Sequence, residues 1–131
     1  MAEFLQPPGW PAPKGYSNGV VASGRQVFLA GQIGWTGSQQ LVSSRLALQV
    51  RQTLQNIVTL LAQAGGRPEH LVRLTWFVTT LDEYRAELKE IGAAYRDVIG
   101  RHYPAMSVIG VPGLVEQGAK VEIEATAVIP D

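Results

Sequence analysis

Residues 70–79, HLVRLTWFVT, alternate between large apolar side chains and polar or aromatic ones. Val72, Leu74, Trp76 and Val78 fall on one side of an extended chain, and the intervening residues fall on the other. A period of two is typical of a β-strand that is buried on one face. The stretch therefore predicts a strand whose apolar face packs against a core.

An amphipathic helix is predicted before this strand. It begins at a cap formed by Ser43 or Ser44, because a short hydroxyl group satisfies a free backbone N–H there. Gly65-Gly66 ends it, since glycine adopts the left-handed cap conformation without strain. Apolar residues recur every three or four positions between these ends, at Leu46, Val50, Leu54, Ile57, Leu61 and Ala64.

A second amphipathic helix is predicted after the strand. Thr80 and Glu83 have the spacing of a capping box at its start, and Gly100 closes it. Gly92 inside the helix costs about 1 kcal/mol relative to Ala, which indicates that another group packs closely there. The apolar side consists of Tyr84, Leu88, Ile91, Tyr95 and Val98.

Further strands are predicted nearer the two ends of the chain. Residues 20–22 and 26–33 form a hairpin about Ser23-Gly24-Arg25, because glycine allows the positive φ of a tight turn. A short strand follows at 106–111 and a longer one at 120–128, where apolar and polar residues again alternate. These elements give the order β-β-α-β-α-β-β.

The order of elements predicts an α+β fold in one domain over residues 1–131. Right-handed crossover connections place both helices on the same face of a single sheet. Four of the eight prolines fall in residues 1–14, and we expect this segment to be an extended, irregular arm.

The chain has 131 residues with eleven basic and eleven acidic side chains, so its net charge is zero. Binding to nucleic acid relies on clustered Lys and Arg, and no such partner is expected. No run of eighteen apolar residues and no signal peptide is recognised, so no membrane partner is expected either. The absence of cysteine excludes disulfides and thiolate catalysis and is compatible with the cytoplasmic location that we expect.

The sheet face opposite the helices, called the mixed face below, combines aromatic and polar side chains. Phe28 and Phe77 lie there among Gln26, Gln32, Arg73, Thr75, Glu122, Glu124 and Thr126. Two helices cannot cover both faces of the sheet. The mixed face is therefore either solvated, as in many antiparallel sheets, or packed against copies of the same chain. We favour the second alternative, which would leave polar clefts between subunits.

Two patterns that resemble catalytic or metal sites lack the context that their chemistry needs. Residues 15–19, GYSNG, match a hydrolase nucleophile elbow, but a strand follows Ser17 where a helix is required. His70 and His102 have no metal-site spacing and no cysteine to complete a site, so no metal is expected. Glycine-rich phosphate loops are absent from the sequence.

Two carboxylates on the last strand are candidates for chemistry. Glu122 and Glu124 share one strand face, and Arg73 on another strand could lie close to them. Such charges commonly form a cross-strand ion pair. A carboxylate in a partly dry cleft can instead act as a general acid or base. Periodicity leaves both alternatives open.

Several stretches together resemble the YjgF/RidA (Rid) family of small trimeric proteins. They are 16–20 (YSNGV), 27–33 (VFLAGQI), Asn56, 73–78 (RLTWFV), 103–107 (YPAMS) and 121–125 (VEIEA). The resemblance covers nearly the whole chain and implies a chorismate-mutase-like fold, a homotrimer and three clefts between subunits. It also implies hydrolysis of reactive enamines and imines to a carbonyl product and ammonia, with no cofactor.

The resemblance assigns roles to individual residues. Tyr16 corresponds to a tyrosine of the cleft, Ser107 to a hydroxyl residue of the catalytic group, and Glu122 to a carboxylate that positions or deprotonates water. Backbone groups near Gly31 and Ala105 would hold the substrate.

The sequence departs from the family pattern at three places in the site. Met106 stands where the family has an Arg that clamps the substrate carboxylate, and losing such a clamp costs about 2–5 kcal/mol. Ala30 stands where the family has a serine, directly before Gly31 and Gln32, and the resemblance assigns Gly31 and Gln32 to the substrate site as well. Gly92 stands where the family has an Asn. The pocket is thus more apolar, which suggests a less anionic substrate or a carboxylate bound elsewhere, with Arg73 as the candidate.

The resemblance leads to two hypotheses about function. The first is a hydrolytic deaminase of enamines or imines with an altered substrate preference. The alternative is a non-catalytic trimer that binds a small metabolite in the same clefts. Ribonuclease activity, attributed to some members of the family, fits poorly with a net charge of zero and no basic stripe.

Overall fold

A computed structural model describes residues 2–131 of the chain. The strands are β1 (Glu3–Leu5), β2 (Gly19–Val21), β3 (Arg25–Gln32), β4 (Leu71–Val78), β5 (Ala105–Gly110) and β6 (Val121–Ile129). The helices are α1 (Leu46–Gln63), α2 (Leu81–Ala86) and α3 (Leu88–Val98), with a 3-10 turn at Pro68–His70. No helix of the described residues is both long and apolar enough to cross a membrane.

The main sheet has the strand order β3-β6-β4-β5. The β4–β5 pair is parallel, and the other two pairs are antiparallel. Apolar side chains of α1 and α3 form one buried cluster with the inward residues of β4 and β6, so these helices lie on one face of the sheet. The predicted α+β class and the apolar stripe of α1 are confirmed.

The predicted N-terminal hairpin and the single sheet are wrong. β2 pairs antiparallel with β1 in a separate two-stranded sheet, so the arm at 1–14 contains a strand. β3 pairs instead with β6, which is distant in sequence. The long alternating strand β6 buries its apolar face and offers β3 a far more extensive partner than a three-residue strand can.

The predicted second helix is broken at Glu87, which separates α2 from α3. The Glu87 carboxylate accepts a hydrogen bond from the backbone N–H of Ala47 at 3.0 Å, in the first turn of α1. The N-cap residue of α1 makes no side-chain cap hydrogen bond, so the predicted cap at Ser43 or Ser44 does not form. The Glu87 carboxylate supplies an acceptor for the first turn of α1 in its place. The residue at the break between α2 and α3 is therefore hydrogen-bonded to α1.

The capping box predicted at Thr80 does not form, because the Thr80 side chain makes no cap hydrogen bond. Glu83 instead forms a half-buried ion pair with Lys120 at 3.0 Å. This pair joins the start of α2 to the residue that precedes β6. A tertiary contact thus replaces the local one.

Irregular registers in two strands change which side chains face the core. A shift between Leu29 and Gln32 pairs Gln32 with Ile123, a core residue, so Gln32 does not continue the mixed face as predicted. A second shift, between Leu71 and Arg73, buries Leu71 and leaves Val72 half-buried. Both are β-bulges, which redirect side chains without ending a strand.

Candidate functional site

A cleft beside Met106 lies between α3, the edge strand β5 and the chain before β2. Two adjoining cavities of about 310 and 220 Å³ form it, and they share Lys14, Gly15, Tyr84 and Met106. We call this region the Met106 cleft. The other residues used in the argument below are Tyr16, Trp76, Gly92, Tyr95, Arg96 and Tyr103.

Backbone contacts at Ser17 bring Tyr16 to this cleft. Ser17 pairs with Ala105 in an isolated parallel bridge, and its N–H donates to the Pro104 carbonyl at 3.0 Å. The Ser17 hydroxyl donates to the Tyr103 carbonyl. Ser17 is therefore a structural residue that fixes Tyr16 next to Met106, consistent with its rejection as a nucleophile.

Aromatic rings line much of the Met106 cleft. Tyr95 stacks on Tyr103 with ring centroids 5.4 Å apart, and Trp76 meets Tyr84 edge to face at 6.3 Å. The Tyr95 hydroxyl donates to the His102 carbonyl at 2.6 Å. Burial raises the pKa of both Tyr84 and Tyr95, and the neighbouring Tyr103 adds to the effect at Tyr95. These packed rings form the aromatic part of the cleft lining.

A second cleft, of about 340 Å³, lies beside Glu122 at the end of β3. Its lining includes Gly31, Gln32, Trp35 and Glu116, and we call it the Glu122 cleft. The carboxylate of Glu122 lies against Gly31, where a Cβ atom would overlap it. Glycine at position 31 therefore creates the space that the Glu122 side chain occupies.

Asn56 on α1 fixes the backbone that borders the Glu122 cleft. Its side-chain amide donates to the carbonyls of Ile33 at 3.0 Å and Trp35 at 2.9 Å. Its carbonyl oxygen accepts from Gln52 at 2.9 Å. The Gln32 amide meanwhile donates to the Ala30 carbonyl at 2.9 Å. The cleft thus has an ordered rim in which backbone groups and a carboxylate face the same space.

Ser107, Ala105 and Arg73 lie on the mixed face. The register of β5 against β4 pairs Ala105 with Arg73 and Ser107 with Thr75, which puts Met106 on the opposite face. Arg73 lines a separate depression of about 250 Å³ with Glu124, and the two form no ion pair within 4.0 Å. Within one chain, Arg73 does not line the Met106 cleft.

The predicted site residues therefore form two groups within one chain. Tyr16 and Met106 line one cleft, whereas Gly31, Gln32 and Glu122 line the other. β5 and β3 are the opposite edges of the sheet, and Met106 and Glu122 project from opposite faces. A single chain does not bring the two groups together.

Two cations of the Met106 cleft, Lys14 and Arg96, were not among the predicted site residues. Arg96 lies four residues after Gly92 on α3, and its Nη1 atom is 3.3 Å from the position that a Cβ of residue 92 would occupy. The helix glycine was the available signal. Its cost in a helix is explained by the guanidinium that packs over it.

The two histidines take part in backbone hydrogen bonds. Nδ1 of His70 accepts from the N–H of Arg67 at 3.0 Å, and Nε2 of His102 lies 2.7 Å from the carbonyl of Leu71. Both rings thus support the turn that leads into β4. Within residues 2–131, no group of three or more acidic or histidine side chains is arranged to hold a metal.

Comparison with known proteins identifies the family. A family model described as Endoribonuclease L-PSP matches residues 10–129. The chain is 30% identical over 114 residues to the 2-iminobutanoate/2-iminopropanoate deaminase of Homo sapiens, covering 86% of this chain and 79% of that one. It is 33% identical over 126 residues to protein DfrA of Myxococcus xanthus, covering 89% of each.

A solved structure agrees with this comparison along almost the whole chain. The crystal structure of YyfB from Yersinia pestis, a Rid-family protein of unknown function, is similar with a TM-score of 0.85 and 32% sequence identity. The match covers 98% of both chains. The chain described here is therefore a member of the YjgF/RidA (Rid) family.

Proposed function

We propose that this protein is a homotrimer whose active sites form where the Met106 cleft of one subunit meets the Glu122 cleft of the next. The mixed face supports assembly, because Phe28 is 72% exposed and Ile109 is 45% exposed in a single chain. Large apolar side chains that are exposed on an open sheet face are typical of an interface. Assembly would also unite two groups of site residues that one chain keeps apart.

Unsatisfied donors in the two clefts support the same proposal. Among residues 2–131, the buried side-chain polar atoms without a hydrogen-bond partner are Nε1 of Trp35 and Nε1 of Trp76. Trp35 lines the Glu122 cleft, and Trp76 lines the Met106 cleft. A buried donor without a partner is unfavourable by about 1–3 kcal/mol, so a rearrangement on assembly that gives either indole an acceptor would be favourable.

The reaction that we propose is hydrolysis of an imine or enamine to a carbonyl compound and ammonia. An enamine first takes up a proton at carbon to give the iminium ion. Glu122 then accepts a proton from a water molecule while the oxygen of that water bonds to the iminium carbon. The product of this step is a carbinolamine. Return of that proton to nitrogen allows the C–N bond to break, the hydroxyl proton is lost, and the carbonyl product and ammonia leave.

The observation that carries this proposal is the Glu122 carboxylate held against Gly31 at the mouth of an ordered cleft. A general base must reach water and the reacting carbon, and the missing side chain at residue 31 leaves room for the Glu122 carboxylate in the cleft. The human relative named as an imino-acid deaminase supports the same class of reaction.

Met106 gives a specific reason to consider the non-catalytic alternative. A thioether carries no charge and forms only weak hydrogen bonds, so it cannot hold a small substrate carboxylate as an arginine does. A trimer that binds a metabolite without converting it would have the same clefts. Saturable binding without ammonia release would identify that function.

Two measurements test the proposal. Light scattering should give the mass of three chains at micromolar concentration, and the protein should accelerate ammonia release from freshly generated imines. A monomer would contradict the proposed assembly. A trimer that leaves every imine at its spontaneous rate would contradict the reaction.

Replacement of Met106 by arginine tests the role of that position separately. Met106→Arg should improve turnover of the small imine of pyruvate, because a charge-assisted clamp is worth about 2–5 kcal/mol. Met106→Leu is the matched control and should leave it unchanged. Equal rates in the two variants would contradict the role assigned to position 106.

A further inference from the structure

The Met106 cleft combines flat apolar walls with a positively charged rim. Tyr95, Tyr103, Trp76 and Tyr84 supply four aromatic rings in two packed pairs. Tyr84 and Tyr103 are half-buried and keep part of their rings accessible, whereas Trp76 and Tyr95 are almost fully buried. A partly accessible ring accepts another planar group by stacking or by edge contact. A volume of about 310 Å³ in the larger part of the cleft is in the range of cavities that bind small organic molecules.

The charged groups of this cleft are all cations. Lys14 and Arg96 border it, and no Asp or Glu is among its lining residues. The ion pairs of residues 2–131 involve other basic side chains, so neither cation is neutralised by a carboxylate within 4.0 Å. An organic anion would supply the missing partner.

Gly92 gives Arg96 its place beside the cleft. The guanidinium Nη1 lies 3.3 Å from where a Cβ of residue 92 would be, so even an alanine would press against it. Residues four apart share a helix face, and Arg96 therefore folds back along α3 towards the cleft wall. The planar guanidinium can bind a carboxylate through two parallel hydrogen bonds.

We propose that the Met106 cleft selects imines that carry an aromatic side chain and a carboxylate, with the carboxylate bound by Arg96. This inference rests on the proposed function and names its substrate class. The carbon skeletons of 2-iminobutanoate and 2-iminopropanoate, after which the human relative is named, contain no ring and would leave the aromatic walls uncovered. Lys14, which also borders the cleft, adds to the attraction for the anion.

The test is equilibrium binding of three stable ligands to the intact protein by calorimetry. Phenylpyruvate carries both the ring and the 2-oxo acid, pyruvate lacks the ring, and phenylacetone lacks the carboxylate. We expect phenylpyruvate to bind at least about tenfold more tightly than either of the others. Equal affinities for phenylpyruvate and pyruvate would overturn the proposal.

Two variants locate the anion site. Arg96→Met should weaken phenylpyruvate binding by about tenfold and leave phenylacetone unchanged. Arg85→Met removes an exposed arginine on α2 that does not line the cleft, and it should change neither affinity. Unchanged phenylpyruvate binding in Arg96→Met would also overturn the proposal.

Gly92→Ala separates binding from folding. It should raise the melting temperature, since alanine favours a helix, and weaken phenylpyruvate binding less than Arg96→Met does, because the guanidinium at the end of a flexible side chain has to shift by only a few tenths of an ångström. Unaltered binding in this variant would contradict the role given to Gly92. The calorimetric binding measurements use no imine and therefore do not depend on the proposed reaction. A protein that releases no ammonia would refute the reaction, and the binding measurements would still test the proposed ligand class.

Discussion

The two clefts of this chain differ in charge and in the side chains that line them. The Glu122 cleft contains two carboxylates, Glu122 and Glu116, beside Gly31 and Gln32. The Met106 cleft contains two cations, Lys14 and Arg96, and is lined by aromatic rings. Under the proposed function, the first cleft supplies the group for proton transfer and the second supplies the groups for substrate recognition.

This difference separates the two tasks that the proposed function requires. Arg96 brings a guanidinium from α3 to the Met106 cleft, beside Gly92, whereas β5 presents the uncharged Met106 there. Glu122 remains on β6, held against Gly31. Because the two clefts lie at different edges of the sheet, either can vary without disturbing the other.

The largest effect should come from removing the base. Glu122→Gln keeps the shape of the side chain and should lower the rate of imine hydrolysis by about 100-fold or more, since a positioned general base contributes about 10²–10⁴-fold. Glu69→Gln, on the 3-10 turn and outside both clefts, is the control for loss of one acidic group and should be fully active. A rate within a few-fold of wild type for Glu122→Gln would show that the chemistry lies elsewhere.

Crowding the same carboxylate should have the next largest effect. Gly31→Ala forces the Glu122 side chain to move, so hydrolysis should fall by about tenfold or more. Gly37→Ala is the matched control, because a Cβ at residue 37 meets no atom within 4 Å. Kinetics with one imine substrate compares the two, and equal activity would contradict the contact between Gly31 and Glu122.

Loosening the rim of the Glu122 cleft should have a moderate effect on stability. Asn56→Ala removes the donor to the carbonyls of Ile33 and Trp35 and should lower the free energy of unfolding by about 1–3 kcal/mol. Gln55→Ala changes the adjacent, exposed position of α1 and should have little effect. Denaturant titrations measure both, and an equal loss in the two would refute the role of Asn56.

The smallest effect concerns the Met106 cleft and the pH dependence of folding. Burial raises the pKa of Tyr95 above its ordinary value of 10.0, so the unfolded chain loses this proton at a lower pH than the folded one. The stabilising contribution is complete below about pH 10 and declines as the pH rises further. Between pH 9 and about pH 11, the free energy of unfolding should therefore fall less steeply with pH in Tyr95→Phe than in the wild-type protein. Denaturant titrations at several pH values measure both slopes. An identical slope in the two proteins would contradict burial of this hydroxyl.

Features that depend on local periodicity were predictable from the sequence. The stripe of α1 and the alternation of β4 and β6 record which side chains face the core, because burial selects apolar residues at the period of each element. The pairing of β1 with β2 in a sheet of their own was not predictable, since strands of three residues carry no periodic signal. The break at Glu87 depends on Ala47, a contact that sequence spacing does not reveal.

The candidate site was predictable only in part for similar reasons. Tyr16 and Met106 line one cleft, but the bulge before Gln32 turns Gly31 towards Glu122, whereas alternation along the strand implied the opposite. Arg96 resembles any exposed arginine on a helix. Its role depends on the cleft beside it and on the missing side chain of Gly92.

The central claim is that each active site takes one cleft from each of two subunits. Mixing two inactive variants tests it most directly: Glu122→Gln, which lacks the base, and Met106→Glu, which places a carboxylate against the substrate anion. After joint unfolding and refolding in equal amounts, we predict recovery of about a quarter of wild-type hydrolysis, because one in four random subunit pairs combines two intact clefts. A mixed trimer no more active than its parents would contradict the claim, since a site contained in one chain stays defective in every subunit.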